Sequence, residues 1–172
     1  LFGPAFLDQS LLNLAGRLQR QQQLPMGTSE RSVPALDSAL PGHGEQRLPI
    51  AVCGAHMEGL ALNHQLTDLG GRLLRRTRTA AEYRLYALPG GPPERPGLVR
   101  CAEQGVAIEL EVWTLPRPAV GDFLEGIPSP LGLGRVRLED GTEVAGFLCE
   151  STATRAADDI SHLGSWRHYL QS

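Results

Sequence analysis

His56 stands in the string Cys53-Gly54-Ala55-His56-Met57-Glu58-Gly59, directly after an apolar run. An imidazole, with a reference pKa of about 6.5, can give or take a proton near neutral pH. The glycines around it suggest what it would act on. A glycine-containing turn at a strand end exposes backbone N–H groups, and Gly54, Ala55 and Gly59 are candidates for a small anion-binding concavity. A side chain would obstruct a carboxylate that must approach the backbone closely. The plainer alternative for His56 is a structural or merely exposed ring.

Arg84 and Arg135, each in a strand-like run, are candidate partners for such an anion. Arg72, Arg75, Arg76 and Arg78 form a basic stripe that reads as a solvated strand face or an inter-subunit ion pair, with anion capture as the alternative. Glu125 is a carboxylate on a predicted helix, either a general base or part of a solvated face. Asn63 and Gln65 suit bracing of the preceding loop by hydrogen bonds. His162 and His168 are six apart and share no helix face, so no metal site is expected from them, and no cofactor is called for. Cys53, Cys101 and Cys149 are far apart, odd in number and without a C-x-x-C pair, which points to reduced core thiols of a cytoplasmic protein. Trp113, Trp166, Tyr83 and Tyr86 are read as core aromatics.

These residues need elements to hold them. Phe6, Leu7, Leu11, Leu14 and Leu18 recur at spacings of three and four, which predicts an amphipathic helix over 5–23. Alone it cannot bury its apolar face, so it is expected to dock on an upstream domain or on a second copy of itself. Leu1 in place of a start methionine adds to the expectation of a fragment. Residues 24–47, punctuated by Pro25, Gly27, Pro34, Pro41, Gly42 and Gly44, read as a linker. From 48 the texture turns to short strands: 48–54, 72–78 and 82–88, with a short helix over 59–71 ended by Gly70-Gly71. Residues 88–97 read as a loop. Residues 98–103 and 106–113 read as a hairpin about Gln104-Gly105. A proline-opened helix over 116–126, a rigid loop over 127–134 and a hairpin over 135–150 follow, the hairpin with a type I′ turn at Asp140-Gly141. A short helix ends the segment 160–172. About six or seven strands adjacent in sequence favour a small mixed or antiparallel α+β barrel over a doubly wound sheet.

The chain of 172 residues carries 16 basic and 19 acidic side chains, a net charge of −3, which gives no reason to expect nucleic acid or an anionic membrane as partner. No apolar run approaches the roughly 20 residues that span a bilayer. Asp8, Gln9 and Asn13 interrupt the N-terminal apolar positions, unlike a signal peptide.

Several blocks occur in an order that resembles one family. They are Gly54-Ala55-His56-Met57-Glu58-Gly59 with Leu62-Asn63-His64-Gln65-Leu66, then Tyr83–Leu88, Pro96–Arg100 and Ile108–Trp113, then Ile127–Gly134, Gly146–Glu150 and Asp159–Ser161. Residues 48–170 resemble the C-terminal domain of allophanate hydrolase, and 1–23 resemble the tail of the amidase domain that precedes it. The resemblance implies a γ-glutamylcyclotransferase-like fold and a role in completing allophanate breakdown to ammonia and carbon dioxide. The amidase half would leave N-carboxycarbamate, a small dianion, and this domain would remove carbon dioxide from it. The amidase catalytic residues would lie upstream. In that reaction His56 is the expected acid, with the Gly54 and Ala55 amides, Arg84 and Arg135 as carboxylate partners. A homo-oligomer formed through the N-terminal helix is expected. Two other roles stay open: a purely architectural domain, and a cyclotransferase-like enzyme using Glu125. For the latter, Cys53-Gly54-Ala55-His56 departs from the polar string that cradles a γ-glutamyl group.

Overall fold

The computed structural model describes residues 8–22 and 46–172. The chain divides into two units, Leu1–Gly44 and Glu45–Ser172. Within the first, helix α1 spans Asp8–Gln22. It leaves Leu12, Leu14 and Leu18 exposed. Phe6 and Leu7 of the expected apolar face, and residues 24–45 of the expected linker, lie outside the described residues.

The second unit follows the order β1 (Arg47–Val52), α2 (Asn63–Thr67), β2 (Arg72–Arg78), β3 (Tyr83–Leu88), β4 (Arg95–Arg100), β5 (Glu109–Pro116), α3 (Val120–Glu125), β6 (Leu131–Arg137), β7 (Glu143–Cys149), β8 (Asp158–Asp159) and α4 (Trp166–Tyr169). Five strands form one sheet in the order β2-β5-β1-β7-β6, and three form another in the order β4-β3-β8. Among the described residues only β1 and β7 run parallel, through Ile50↔Ala145 and Ala51↔Gly146; the other pairs are antiparallel. The larger sheet curls until its edges meet at one end. There Thr79 and Leu138 form a bridge, and Ala80 N–H donates to the Arg137 carbonyl at 2.9 Å. The mixed α+β architecture with short helices is the one expected; the edges of the larger sheet touch at this corner without a continuous ladder along them.

β1 is central because both its faces are apolar: Ile50, Ala51 and Val52 are buried between β5 and β7. Pro49, which has no N–H to give, precedes the residues that pair with β7. The core gathers Ile50, Met57, Leu66, Tyr83, Leu85, Ile108, Leu110, Leu115 and Leu138, all fully buried. Side chains of this size contribute about 1.5–3 kcal/mol each on burial. Trp113 and Trp166 are buried as expected, whereas Tyr86 is half-buried.

Four expectations need correction. β4 begins at Arg95, inside the stretch read as a loop, and pairs with β3 rather than with 106–113. Gln104-Gly105 does make a turn, with Gln104 at φ 57°, but the strands it joins enter different sheets. The turn between β6 and β7 is not type I′, which needs positive φ at both central residues. Only Gly141 has it, at φ 82°. Gly141 N–H donates to the Leu138 carbonyl at 2.9 Å and Leu138 N–H to the Thr142 carbonyl at 2.8 Å, the pattern of a three-residue loop ending in a glycine bulge. Lastly, β6 starts at Leu131 within the supposed rigid loop.

Candidate active site

β1 ends because the chain turns sharply after Cys53. The Gly54 carbonyl accepts from Met57 N–H at 2.9 Å, and the Ala55 carbonyl from Leu62 N–H at 2.9 Å. Asn63 Nδ2 donates to the His56 carbonyl at 2.9 Å, so this side chain braces the turn. Gly54 is required by packing: a Cβ there would lie 2.5 Å from Pro96 Cγ. The close approach that excludes a side chain is thus that of β4, not of a ligand.

A cavity of about 420 Å³ opens beside this turn. The end of β1 and the turn supply one wall, from Val52 to His56, with Leu62 and Gln65 from the helical segment behind. The Gly91–Pro93 loop, Arg95 and Pro96 supply another. Ile127, Pro128, Leu131 and Phe147 complete it.

The His56 ring is half-buried. Its Nε2 lies 2.9 Å from Gln65 Oε1, and its ring makes a T-shaped contact with Phe123 at 5.1 Å between ring centres. With Oε1 as the acceptor, Nε2 carries the proton. Burial lowers the pKa of His56 below 6.5; the hydrogen bond to Gln65 opposes that shift and the nearby His64 adds to it. In the empty cavity the ring is therefore mainly neutral at pH 7. Among the described residues, the backbone N–H groups of Gly54, Ala55 and His56 have no acceptor. Three consecutive free donors at a cavity wall are suited to an anion.

The structure brings His56, Gly54 and Ala55 to one cavity and separates them from the other candidates. Gly59, at φ 77°, serves the turn and does not line the cavity. Arg84 is engaged in the smaller sheet, 3.1 Å from Asp159 and 2.7 Å from Gln104. Arg135 is exposed on β6, and Glu125 is exposed at the end of α3; neither lines the cavity. The basic stripe on β2 is largely spent on protein partners. Arg75 meets Asp140 at 2.8 Å, Arg76 pairs with Glu58 and Glu111, and Arg78 reaches the Ala107 carbonyl at 2.6 Å.

Arg95 is the cation that sequence reasoning missed. It lines the cavity and has no ion pair or side-chain hydrogen bond among the described residues. Cys53 also lines the cavity, but burial pushes its thiol up to about 12, so it stays protonated and is no nucleophile at neutral pH. Among the described residues no group of three or more His, Cys, Asp or Glu side chains is placed to hold a metal ion.

The turn is also clamped from below. The Glu111 carboxylate is buried on β5 and accepts from Glu58 N–H at 2.7 Å, Trp113 Nε1 at 2.9 Å and Arg167 Nη2 at 2.9 Å. Arg167 also donates to the Glu58 carbonyl at 2.8 Å. Burial alone would raise the pKa of Glu111, but these donors together hold it below the usual carboxylate value. Its isolation between Leu110 and Val112 in an apolar strand was the one signal available in the sequence.

A family model for the allophanate hydrolase C-terminal domain matches residues 48–171. Urea amidolyase of Saccharomyces cerevisiae is 38% identical over 184 residues, covering 99% of this chain and 10% of that protein, so the chain spans about a tenth of the length of this curated relative. A crystal structure of c4763, a uropathogenic E. coli-specific protein, superposes with TM-score 0.69 at 36% identity, covering 73% of this chain and 97% of that one. Kluyveromyces lactis allophanate hydrolase superposes with TM-score 0.71 at 32% identity, covering 98% of this chain and 29% of that one.

Proposed function

Because the chain belongs to the allophanate hydrolase C-terminal domain family, we propose that the cavity beside His56 removes carbon dioxide from N-carboxycarbamate, the dianion that an amidase domain leaves on taking ammonia from allophanate. One observation carries this proposal. A single cavity is lined by His56, Gly54, Ala55 and Arg95; among the described residues the backbone N–H groups of the first three have no acceptor and the Arg95 guanidinium has no ion pair.

The chemistry follows from charge. In the bound dianion the amides of Gly54, Ala55 and His56 and the Arg95 guanidinium hold carboxylate oxygens, which orients the substrate and offsets its charge. Charge-assisted hydrogen bonds of this kind are the stronger ones. The same dianion favours the protonated form of His56 and counters the burial that keeps the ring neutral when the cavity is empty. As the C–N bond breaks, its electron pair moves to nitrogen and carbon dioxide departs. The imidazolium gives its proton to that nitrogen, leaving carbamate and a neutral ring. Gln65 holds the ring in place throughout. The three cysteines are unpaired thiols, which suits a reducing cytoplasm.

The test supplies this chain with N-carboxycarbamate generated in situ by an allophanate-hydrolysing amidase. Faster loss of the dianion than in buffer is expected; decay at the spontaneous rate would overturn the proposal.

A second role, assembly, is favoured by the exposed Leu14 and Leu18, which share one face of α1. Such a face fits the upstream amidase domain or a second copy of the chain. Removal of residues 1–23 is expected to reduce the oligomer size measured by sedimentation, and an unchanged size would exclude self-association through α1. Cyclotransferase chemistry at Glu125 draws no support, since that carboxylate is exposed and outside the cavity.

A further inference from the structure

N-carboxycarbamate is only a carbamate with one added carboxylate, yet the cavity measures about 420 Å³. That lies in the ~300–1,000 Å³ range of sites for much larger ligands. The polar groups suited to the dianion come from the β1 turn and Arg95. A second set of lining residues has no polar side chain: Leu62, Ile127, Pro128, Leu131 and Phe147. Leu131 is half-buried and lines the cavity without belonging to the core cluster, so its side chain is free to serve a ligand. Phe147 stacks edge-on against Phe123, which in turn meets His56. Phe123 thus packs behind the wall and links the imidazole to Phe147, which faces the cavity with Leu131. A dianion alone leaves that surface uncovered.

From this mismatch we infer that the cavity is a binding site for dicarboxylates bearing an apolar substituent on the atom between the two carboxylates. This inference rests on the anion seat proposed above and extends it to a ligand class. The carboxylates occupy the seat at Gly54–His56 and Arg95, and the substituent covers Leu131 and Phe147. Each methylene buried there tightens binding about fourfold.

Calorimetric titration of the chain with malonate and with n-butylmalonate tests it. Butylmalonate is expected to bind more than tenfold tighter than malonate. Leu131→Ser is expected to reduce that advantage to a few-fold while leaving malonate affinity unchanged. Malonate binding with no gain from the butyl group would overturn the inference and leave the anion seat standing. Failure of both compounds to bind would overturn the seat and the inference with it. An advantage that Leu131→Ser leaves intact would also overturn it, because the substituent would then lie elsewhere.

Discussion

His56 Nε2 and Gln65 Oε1 lie 2.9 Å apart, which ties the one imidazole in the cavity wall to the helix that follows its turn. The contact fixes which ring nitrogen carries the proton and opposes the fall in pKa that burial causes. Gln65→Leu removes both effects. With a net worth of about 0.5–1.5 kcal/mol for such a bond, carbon dioxide release is expected to slow about two- to tenfold, with the melting temperature nearly unchanged. A kinetic trace identical to that of the parent chain would show that the contact has no bearing on the reaction.

Arg95 has a side chain with no ion pair among the described residues. Arg95→Gln is therefore expected to leave stability intact and to weaken malonate binding about 10- to 150-fold, the worth of one charged hydrogen bond. Arg84→Gln, whose guanidinium serves Asp159 and Gln104, is expected to leave malonate affinity unchanged. The reverse ranking in a calorimetric comparison would move the anion site to the smaller sheet.

Binding of a dianion is expected to be linked to proton uptake. The pKa of His56 in the empty cavity lies below 6.5, chiefly through burial, and a bound dianion raises it. Between the free-state and the bound-state values, affinity thus increases as pH falls; outside that window His56 contributes no further change. Calorimetry at about pH 7.5 in buffers of different ionisation enthalpy should show protons taken up with malonate. His56→Asn should abolish the uptake, and uptake that persists in this variant would place the titrating group elsewhere.

Arg167 is the far end of the clamp on the turn, reaching both Glu111 and the Glu58 carbonyl. Arg167→Met leaves a buried carboxylate with Arg76 alone as its cation, at 3.3 Å. Breaking a buried pair costs about 3–5 kcal/mol, and the remaining arginine should reduce this toward about 2 kcal/mol. Glu111 has a lowered folded-state pKa. Its stabilisation is therefore complete above the unfolded value, near 4.5, and is lost as pH falls through the folded one. The variant should unfold at lower temperature at pH 7 and lose less of its remaining stability on acidification. Equal acid sensitivity in both chains, read by thermal melts across pH, would contradict this role.

Much of the turn was legible in the residues because its chemistry is local. Gly54, Ala55 and His56 are consecutive, and a short loop after an apolar run leaves them little choice of place. Asn63 and Gln65 stand in the first turn of α2, seven and nine residues beyond His56, close enough for their bracing role to be read from the sequence. Arg95 was hidden because Pro96 and Gly97 read as loop residues, yet β4 is the edge of its sheet, where a missing N–H costs no ladder bond. Arg84 and Arg135 were placed correctly in strands, but which strand lines the cavity depends on contacts between segments far apart in the chain. The same holds for Glu111 and Arg167, which are 56 residues apart and meet only after α4 packs on β5. The hairpin expected about Gln104-Gly105 failed for a related reason. A turn was read correctly, while pairing was decided by the burial of β5 between β1 and β2.

The most direct measurement follows N-carboxycarbamate, made in situ from carbon-13-labelled allophanate by an amidase, with its carboxyl signals resolved from those of carbamate and bicarbonate. The intact chain and its His56→Ala variant are compared at equal folded concentration. If the imidazole at the β1 turn protonates the departing nitrogen, the variant should lose about 10²–10⁴ of the catalysed rate, or fall to the spontaneous rate if that is reached first, so that the dianion accumulates. Equal rates in the two chains, both faster than buffer, would contradict a catalytic role for His56.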